Sequence, residues 1–326
     1  MITDHYHRTF DYIRVALNEK CNFRCMYCMP AEGIDFKPAK SLLTDDEIFR
    51  IIRILASNGV AKVRLTGGEP LLRNGIVHIV KTIRQVEGID SVHLTTNGMH
   101  LDVALGPLIN AGLDGLNISL DTLKSDRFFQ ITRRNDFEQV WKNVQSAIRH
   151  TALRVKINVV LMRGINASEI PDFINLAKNN PVSVRFIELM PFDDHQIWRT
   201  GRFMGVKMIL EEIQKIIPAG QPQSGSRTEE YYFKPAGFLG AFAIIPAYSR
   251  TFCGWCNRIR LTADGQIRNC LYSSQDFNLR DLIRNGCSDD EILTMVQSAM
   301  HLKAKDGFEA ERSDHNMRTS MTQIGG

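Results

Sequence analysis

The segment Tyr12-Ile13-Arg14-Val15-Ala16-Leu17 is followed, after three polar residues, by Cys21-Asn22-Phe23-Arg24-Cys25-Met26-Tyr27-Cys28. Residues 12–17 are an apolar run of strand length, and the cysteines crowd the loop behind it. Further apolar runs occupy residues 62–66, 92–95, 116–120, 155–161 and 184–189, each followed by a helix-period stretch. Thr44-Asp45-Asp46-Glu47 reads as a capping box ahead of the stripe Ile48, Ile51, Ile52 and Leu55, with Gly59 as the stop. Ile76, Ile79, Val80 and Ile83 make a second stripe, and Ile170, Phe173, Ile174 and Ala177 another. Between these two, Phe137, Val140, Trp141, Val144 and Ile148 repeat the pattern.

Six strand–helix units in series predict an α/β fold with a parallel sheet and right-handed crossovers. Six units fit a partial (β/α)6 barrel better than the closed eight, with the chemistry in the loops at the C-terminal strand ends. After about residue 190 the character changes. Residues 191–202 are polar, 207–217 helical, and 221–230 a polar linker; 231–233 and 242–245 are strand-like. Residues 258–262 and 266–270 flank Ala263-Asp264-Gly265, a hairpin signal. The expected division is a barrel core over residues 1–190 and, over 191–326, an appended α+β region covering the barrel mouth.

No apolar run approaches the roughly 20 residues of a membrane span. Residues 1–10 are polar and rich in His and Arg, unlike a secretory leader, so a cytoplasmic protein with no membrane partner is expected. A net charge of +4 is too small for a nucleic-acid footprint but suits a small anionic substrate. Seven cysteines in such a chain point to metal binding or catalysis rather than disulfides.

Cys21, Cys25 and Cys28 have the spacing C-x3-C-x2-C. Three thiolates can hold three irons of a 4Fe–4S cluster and leave the fourth open to a chelating ligand. A zinc site would need a fourth protein ligand nearby, and none is close in sequence. With Tyr27 before the last cysteine, this stretch resembles the signature of the radical S-adenosylmethionine (SAM) superfamily. The resemblance implies that SAM binds the open iron and is cleaved by one electron to a 5′-deoxyadenosyl radical. Thr66-Gly67-Gly68-Glu69-Pro70 follows the second strand where that superfamily holds the methionine part of SAM. Its two glycines allow close backbone approach, their N–H groups can meet a carboxylate, and Glu69 can accept from an ammonium.

Cys253-Gly254-Trp255-Cys256 and Cys270 form a second group that the hairpin can fold together, leaving Cys287 over. Spacing alone leaves a zinc ribbon on Cys253, Cys256, Cys270 and Cys287 equally open. Arg258 and Arg260 follow at strand period and share a face, which suits an anionic or purine ligand. Both cysteine groups, Arg258-Ile259-Arg260 and the terminal Gly325-Gly326 together resemble the GTP 3′,8-cyclases of molybdenum-cofactor biosynthesis. The resemblance implies a second 4Fe–4S cluster on Cys253, Cys256 and Cys270, whose open iron meets the guanine base, with Cys287 a core residue.

Carried over by position, Tyr27, Gly68, Ser119 and Met190 are expected to contact SAM. Arg14, Lys62, Arg64, Thr95, Lys156, Arg258, Ile259 and Arg260 are expected toward GTP, with Arg258 and Arg260 the candidates for a catalytic role. Cations on strands that face a barrel interior are costly unless they meet an anion, either a ligand or a carboxylate such as Glu188. Glu19-Lys20 departs from the family's usual acidic–basic pair, and residues 304–322 are too polar to align. The family also implies a tail that reaches the active site, a downstream cyclic pyranopterin monophosphate synthase and an electron donor the sequence does not identify. It leaves a homodimer open. The competing readings are a radical SAM peptide modifier with an auxiliary cluster, and a zinc-containing nucleic-acid-binding module without catalysis.

Overall fold

Strand β1 (Tyr12–Ala16) alternates in a way that fixes its two faces. Ile13 and Val15 are fully buried in the apolar core, whereas Tyr12 and Arg14 face the opposite side. The computed structural model describes residues 1–191, 200–218, 222–223, 231–273, 277–312 and 320–324. β2 (Lys62–Thr66), β3 (Ser91–Thr96), β4 (Gly115–Ser119), β5 (Arg154–Leu161) and β6 (Ser183–Glu188) follow β1 side by side, every neighbouring pair parallel. Six consecutive parallel strands are the partial barrel expected from the repeating pattern.

The crossovers are α1 (Asp45–Ala56), α2 (Ile76–Arg84), α3 (Leu101–Asn110), α4 (Ser125–Thr132) with α5 (Phe137–Arg149), and α6 (Ile170–Asn179). α1 carries the expected capping box: Thr44 Oγ1 accepts from the Glu47 amide at 3.2 Å, and the Thr44 amide donates to Glu47 Oε2 at 2.8 Å. Its stripe Ile48, Ile51, Ile52 and Leu55 is buried against the sheet. Ile79, Val80 and Ile83 of α2 and Val140 and Val144 of α5 do the same.

The remaining strands extend the same sheet at both edges. β8 (Ala241–Ile245) pairs parallel with β6 and antiparallel with β7 (Tyr231–Phe233). β9 (Arg258–Leu261) pairs parallel with β1, and β10 (Gln266–Arg268) folds back on it through the Asp264-Gly265 turn. β11 (Phe277–Asn278) closes that edge. The C-terminal region therefore does more than cover the barrel mouth: its strands flank the barrel on either side. α7 (Val206–Ile216) packs near α6; α8 (Leu279–Arg284), α9 (Asp289–His301) and α10 (Gly307–Arg312) follow β11, with a short 3-10 turn at Met321–Ile324. None of the described helices is long and apolar enough to cross a membrane.

Candidate active site

The C-terminal ends of β1 to β6 open into a cavity of about 330 Å³, and both cysteine trios line it. The first trio sits in the loop after β1. Its backbone is tied to the end of α4: the Arg24 amide donates to Thr132 O at 3.0 Å and the Met26 amide to Ile131 O at 2.9 Å. Arg133 Nη1 donates to Arg24 O and Met29 O, and Arg134 Nε to Asn22 O. Burial pushes the Cys21 thiol up to about 11, the Cys28 thiol up to about 12, and the Cys25 thiol well above its ordinary range. Such thiols give up their protons to a soft, positive metal centre, the usual coupling of ligation to deprotonation.

The Gly67-Gly68 turn, which lines the cavity, also serves this loop directly. A Cβ on Gly68 would lie 2.2 Å from Lys20 O and 2.4 Å from Glu19 O, and one on Gly67 would lie 2.6 Å from Asn18 O. The glycines therefore let two loops touch. The Gly68 amide donates to Asn18 O at 2.8 Å and the Glu69 amide to Lys20 O at 2.7 Å, so these N–H groups are spent on the chain itself. The buried Glu69 carboxylate accepts from Thr96 Oγ1 (2.7 Å), the Asn97 amide (2.7 Å) and the Leu71 amide (3.0 Å). It ties β3 to the turn, and Glu69 also lines the cavity.

The second trio lies at the start of β9 and the end of β10. Cys253, Cys256 and Cys270 are near enough for their charges to interact. Cys287 does not join them. It packs against the core beside α9, its carbonyl accepting from Arg50 Nη2 at 2.7 Å, and it does not line the cavity. A four-cysteine zinc ribbon is therefore not assembled. Two sets of three soft donors lining one cavity would suit a pair of iron–sulfur clusters.

Tyr27, Gly68, Ser119 and Met190, the positions expected to meet SAM, all line this cavity. Tyr27 is held by its phenol, which donates to Asp121 Oδ2 at 2.7 Å. Of the positions expected toward GTP, Arg14, Thr95, Arg258 and Arg260 line it too. Lys62, Arg64 and Lys156 instead line a second chamber of about 180 Å³ deeper in the barrel, which Arg14 and Arg258 also border. Ile259 is fully buried in the apolar core on the other face of β9, so only its backbone is available to a nucleotide.

Strand register stacks the cations. Arg268, Arg260, Arg14 and Arg64 form one row across β10, β9, β1 and β2, and His93 continues it on β3. Gly115 is next, where a Cβ would lie 2.3 Å from His93 Nδ1. Among the described residues, no acidic one lines the second chamber. Glu188 is not a counter-ion for these groups: its Oε1 accepts from the Val206 amide and Ser249 Oγ, and its Oε2 from the Tyr248 and Ser249 amides. Thr95 Oγ1, Asn117 Nδ2 and Asn158 Oδ1, on three adjacent strands, are buried without a hydrogen-bond partner among the described residues. Such groups are satisfied by a polar ligand.

Sequence reasoning missed Tyr12, Arg133, Arg134, Asp121, Asn117 and Asn158, single residues outside any motif. The tail is reached only in part. Ser320 and Thr322 are buried, Met321 lines the cavity, and its amide donates to Cys28 O at 3.2 Å. Gly325 and Gly326 lie outside the described residues.

Comparison with known proteins agrees with this geometry. The Radical SAM superfamily profile matches residues 15–177, and that of Molybdenum Cofactor Synthesis C matches residues 182–308. A GTP 3′,8-cyclase of Chlorobaculum tepidum is 43% identical over 100% of this chain and 97% of its own length. One of Desulforamulus reducens is 39% identical over 99% of both. Molybdenum cofactor biosynthesis protein 1 of Drosophila melanogaster is 43% identical over 97% of this chain, which spans 56% of that protein. The fold is shared with Streptococcus suis SuiB bound to S-adenosylmethionine, at a TM-score of 0.60 and 16% identity, covering 90% of this chain and 68% of that one. By near-complete coverage at this identity, the chain belongs to the GTP 3′,8-cyclase family of the radical SAM superfamily.

Proposed function

We propose that the chain converts GTP to 3′,8-cyclo-7,8-dihydro-GTP, the first step of molybdenum-cofactor synthesis, using SAM and two 4Fe–4S clusters. The observation that carries this reading is a single cavity lined by both cysteine trios and bordered, through Arg14 and Arg258, by a chamber of cations. Cys21, Cys25 and Cys28 would hold the first cluster, and Cys253, Cys256 and Cys270 the second. When bound, SAM and the clusters would supply radical chemistry by which ribose C3′ loses a hydrogen atom and bonds to guanine C8, with one electron and one proton then needed to complete the 7,8-dihydro product.

The chain's own residues do the placing. Tyr27, Gly68, Ser119 and Met190 border the SAM side. Lys62, Arg64 and Lys156 receive the triphosphate, Arg14 and Thr95 lie between phosphates and ribose, and the Ile259 backbone lies beside the base. Arg258 stands where the two chambers meet and Arg260 lines the main cavity beside it, where they can orient the substrate and offer N–H groups to it during reaction. In this reading residues 1–190 form the SAM-binding core, and residues 191–326 carry the second cluster and the tail. The enzyme is cytoplasmic, needs neither membrane nor nucleic acid, and draws electrons from a separate donor. It passes its product to a cyclic pyranopterin monophosphate synthase.

The test is anaerobic incubation of the reconstituted protein with SAM, GTP and dithionite. Formation of 5′-deoxyadenosine that depends on GTP is expected. Its absence at a full iron complement would defeat the proposal.

A further inference from the structure

Lys303 lies just beyond α9, only 3% exposed, and lines the main cavity together with Cys253, Cys256 and Cys270. Its Nζ donates to the carbonyl of Asn269, the residue before Cys270, and sits 5.5 Å from the centroid of the Phe10 ring. Among the described residues no carboxylate lies within ion-pair distance of it. The neighbouring acids are engaged elsewhere: Asp4 with Arg8, Glu311 with Arg250, and Glu309 and Asp306 with backbone amides near α10. Arg8, the other buried cation here, shows the contrast. It has its own aspartate and spends its remaining N–H groups on the carbonyls of Cys253, Lys303, Ala304 and Lys305.

An ammonium withdrawn from water with one carbonyl and an aromatic face for company is costly unless a negative centre is near. Among the described residues the thiols of the second trio are the negative centres left for it: its Nζ is bonded to the residue before Cys270, and it lines the cavity beside Cys253 and Cys256. Three thiolates around an iron–sulfur cube leave an anionic assembly, and reduction adds one further negative charge. A fixed cation therefore favours the reduced form over the oxidised one.

We propose that Lys303 is the charge partner of the second cluster and raises its reduction potential, while its bond to Asn269 O steadies the strand end that presents Cys270. This is a positioning and tuning role and rests on the two-cluster reading above.

The test uses the full-length, anaerobically reconstituted enzyme with Lys303→Met and Lys303→Arg, following each cluster by potentiometric EPR and assigning the second by its response to GTP. At a fixed poise the reduced-to-oxidised ratio of the GTP-responsive cluster should fall about tenfold in Lys303→Met, the equivalent of about 59 mV for one electron. The other cluster should be unmoved, and Lys303→Arg should stay close to the parent. If Lys303→Met fails to retain the second cluster while Lys303→Arg keeps it, the need for charge is equally supported. An unchanged potential at full iron content, or loss of the cluster in both variants, overturns the proposal. A parent enzyme with iron for one cluster only would instead sink the reading on which it rests.

Discussion

Arg14 on β1 and Arg260 on β9 stand opposite each other in register, two guanidinium groups on one face of a parallel strand pair. Like charges so placed repel. Burial, then Arg14 and Arg258, push the Arg260 guanidinium down to about 9. Arg64 and Arg268 extend the row on either side. A fold that tolerates this arrangement is built to receive a polyanion.

Replacing Arg260 with Gln should therefore separate binding from stability. Loss of a charge-assisted hydrogen bond, about 1.5–3 kcal/mol, should weaken GTP binding roughly tenfold to a hundredfold. The melting temperature of the GTP-free protein should be unchanged or raised, because a like-charge contact is relieved. Calorimetric titration and thermal melting measure the two. Unaltered GTP affinity would remove Arg260 from the substrate site.

GTP binding should also depend on pH through Tyr12. Its buried phenol is pushed up by burial, but Arg64, Arg14 and Lys62 outweigh this and bring it down to about 7, with Arg258 facing it from β9. The folded value lies below the ordinary 10, so this group adds stability above about pH 10 that is lost as pH falls through about 7. Triphosphate neutralises the same cations and restores the proton, so GTP affinity should fall as pH rises from about 7 toward 10, by at most about tenfold per unit. Tyr12→Phe should flatten that slope. Equal slopes in the two proteins would show that another group carries it.

The glycines near the two cysteine groups should behave oppositely. A methyl on Gly68 meets two backbone carbonyls, so Gly68→Ala should cost about 1–3 kcal/mol and lower the iron content of the first site. Nothing lies within 4 Å of a Cβ built on Gly254, and Gly254→Ala should stay within about 0.5 kcal/mol of the parent with its iron intact. Urea unfolding and iron analysis decide both.

Much of this was readable in advance where the signal was local. The Thr44–Glu47 capping box, the strand alternation and the Asp264-Gly265 hairpin each declare themselves within a few residues. The pairing of β9 with β1 and of β8 with β6 joins residues far apart in sequence, and a strand's alternation does not name its neighbour. The same capping chemistry at Ser288 and Glu291 went unread because α9 has no strand after it to complete a repeating unit. The glycines were recognised, but their purpose was not, since only the coordinates reveal that their Cβ positions are filled by the cysteine loop. Lys303 and Arg8 carry no motif at all.

Glu188→Gln offers a further check on the separation of Glu188 from the barrel cations. All four donors to this carboxylate come from the 205–250 region, and an amide in its place would turn an N–H against one of them. A loss of about 1.5–3 kcal/mol is expected in chemical denaturation. A smaller change, with GTP affinity altered instead, would return Glu188 to the list of counter-ions.

The joining of β9 to β1 has a mechanical result. Cys21 follows β1 and Cys256 precedes β9, so the span between the two metal centres is set by a run of main-chain hydrogen bonds. The two halves cannot swing apart without unzipping strands at both margins of the barrel together. Reactants must therefore enter and leave past loops and side chains, while the paired strands hold the two cysteine trios at one spacing.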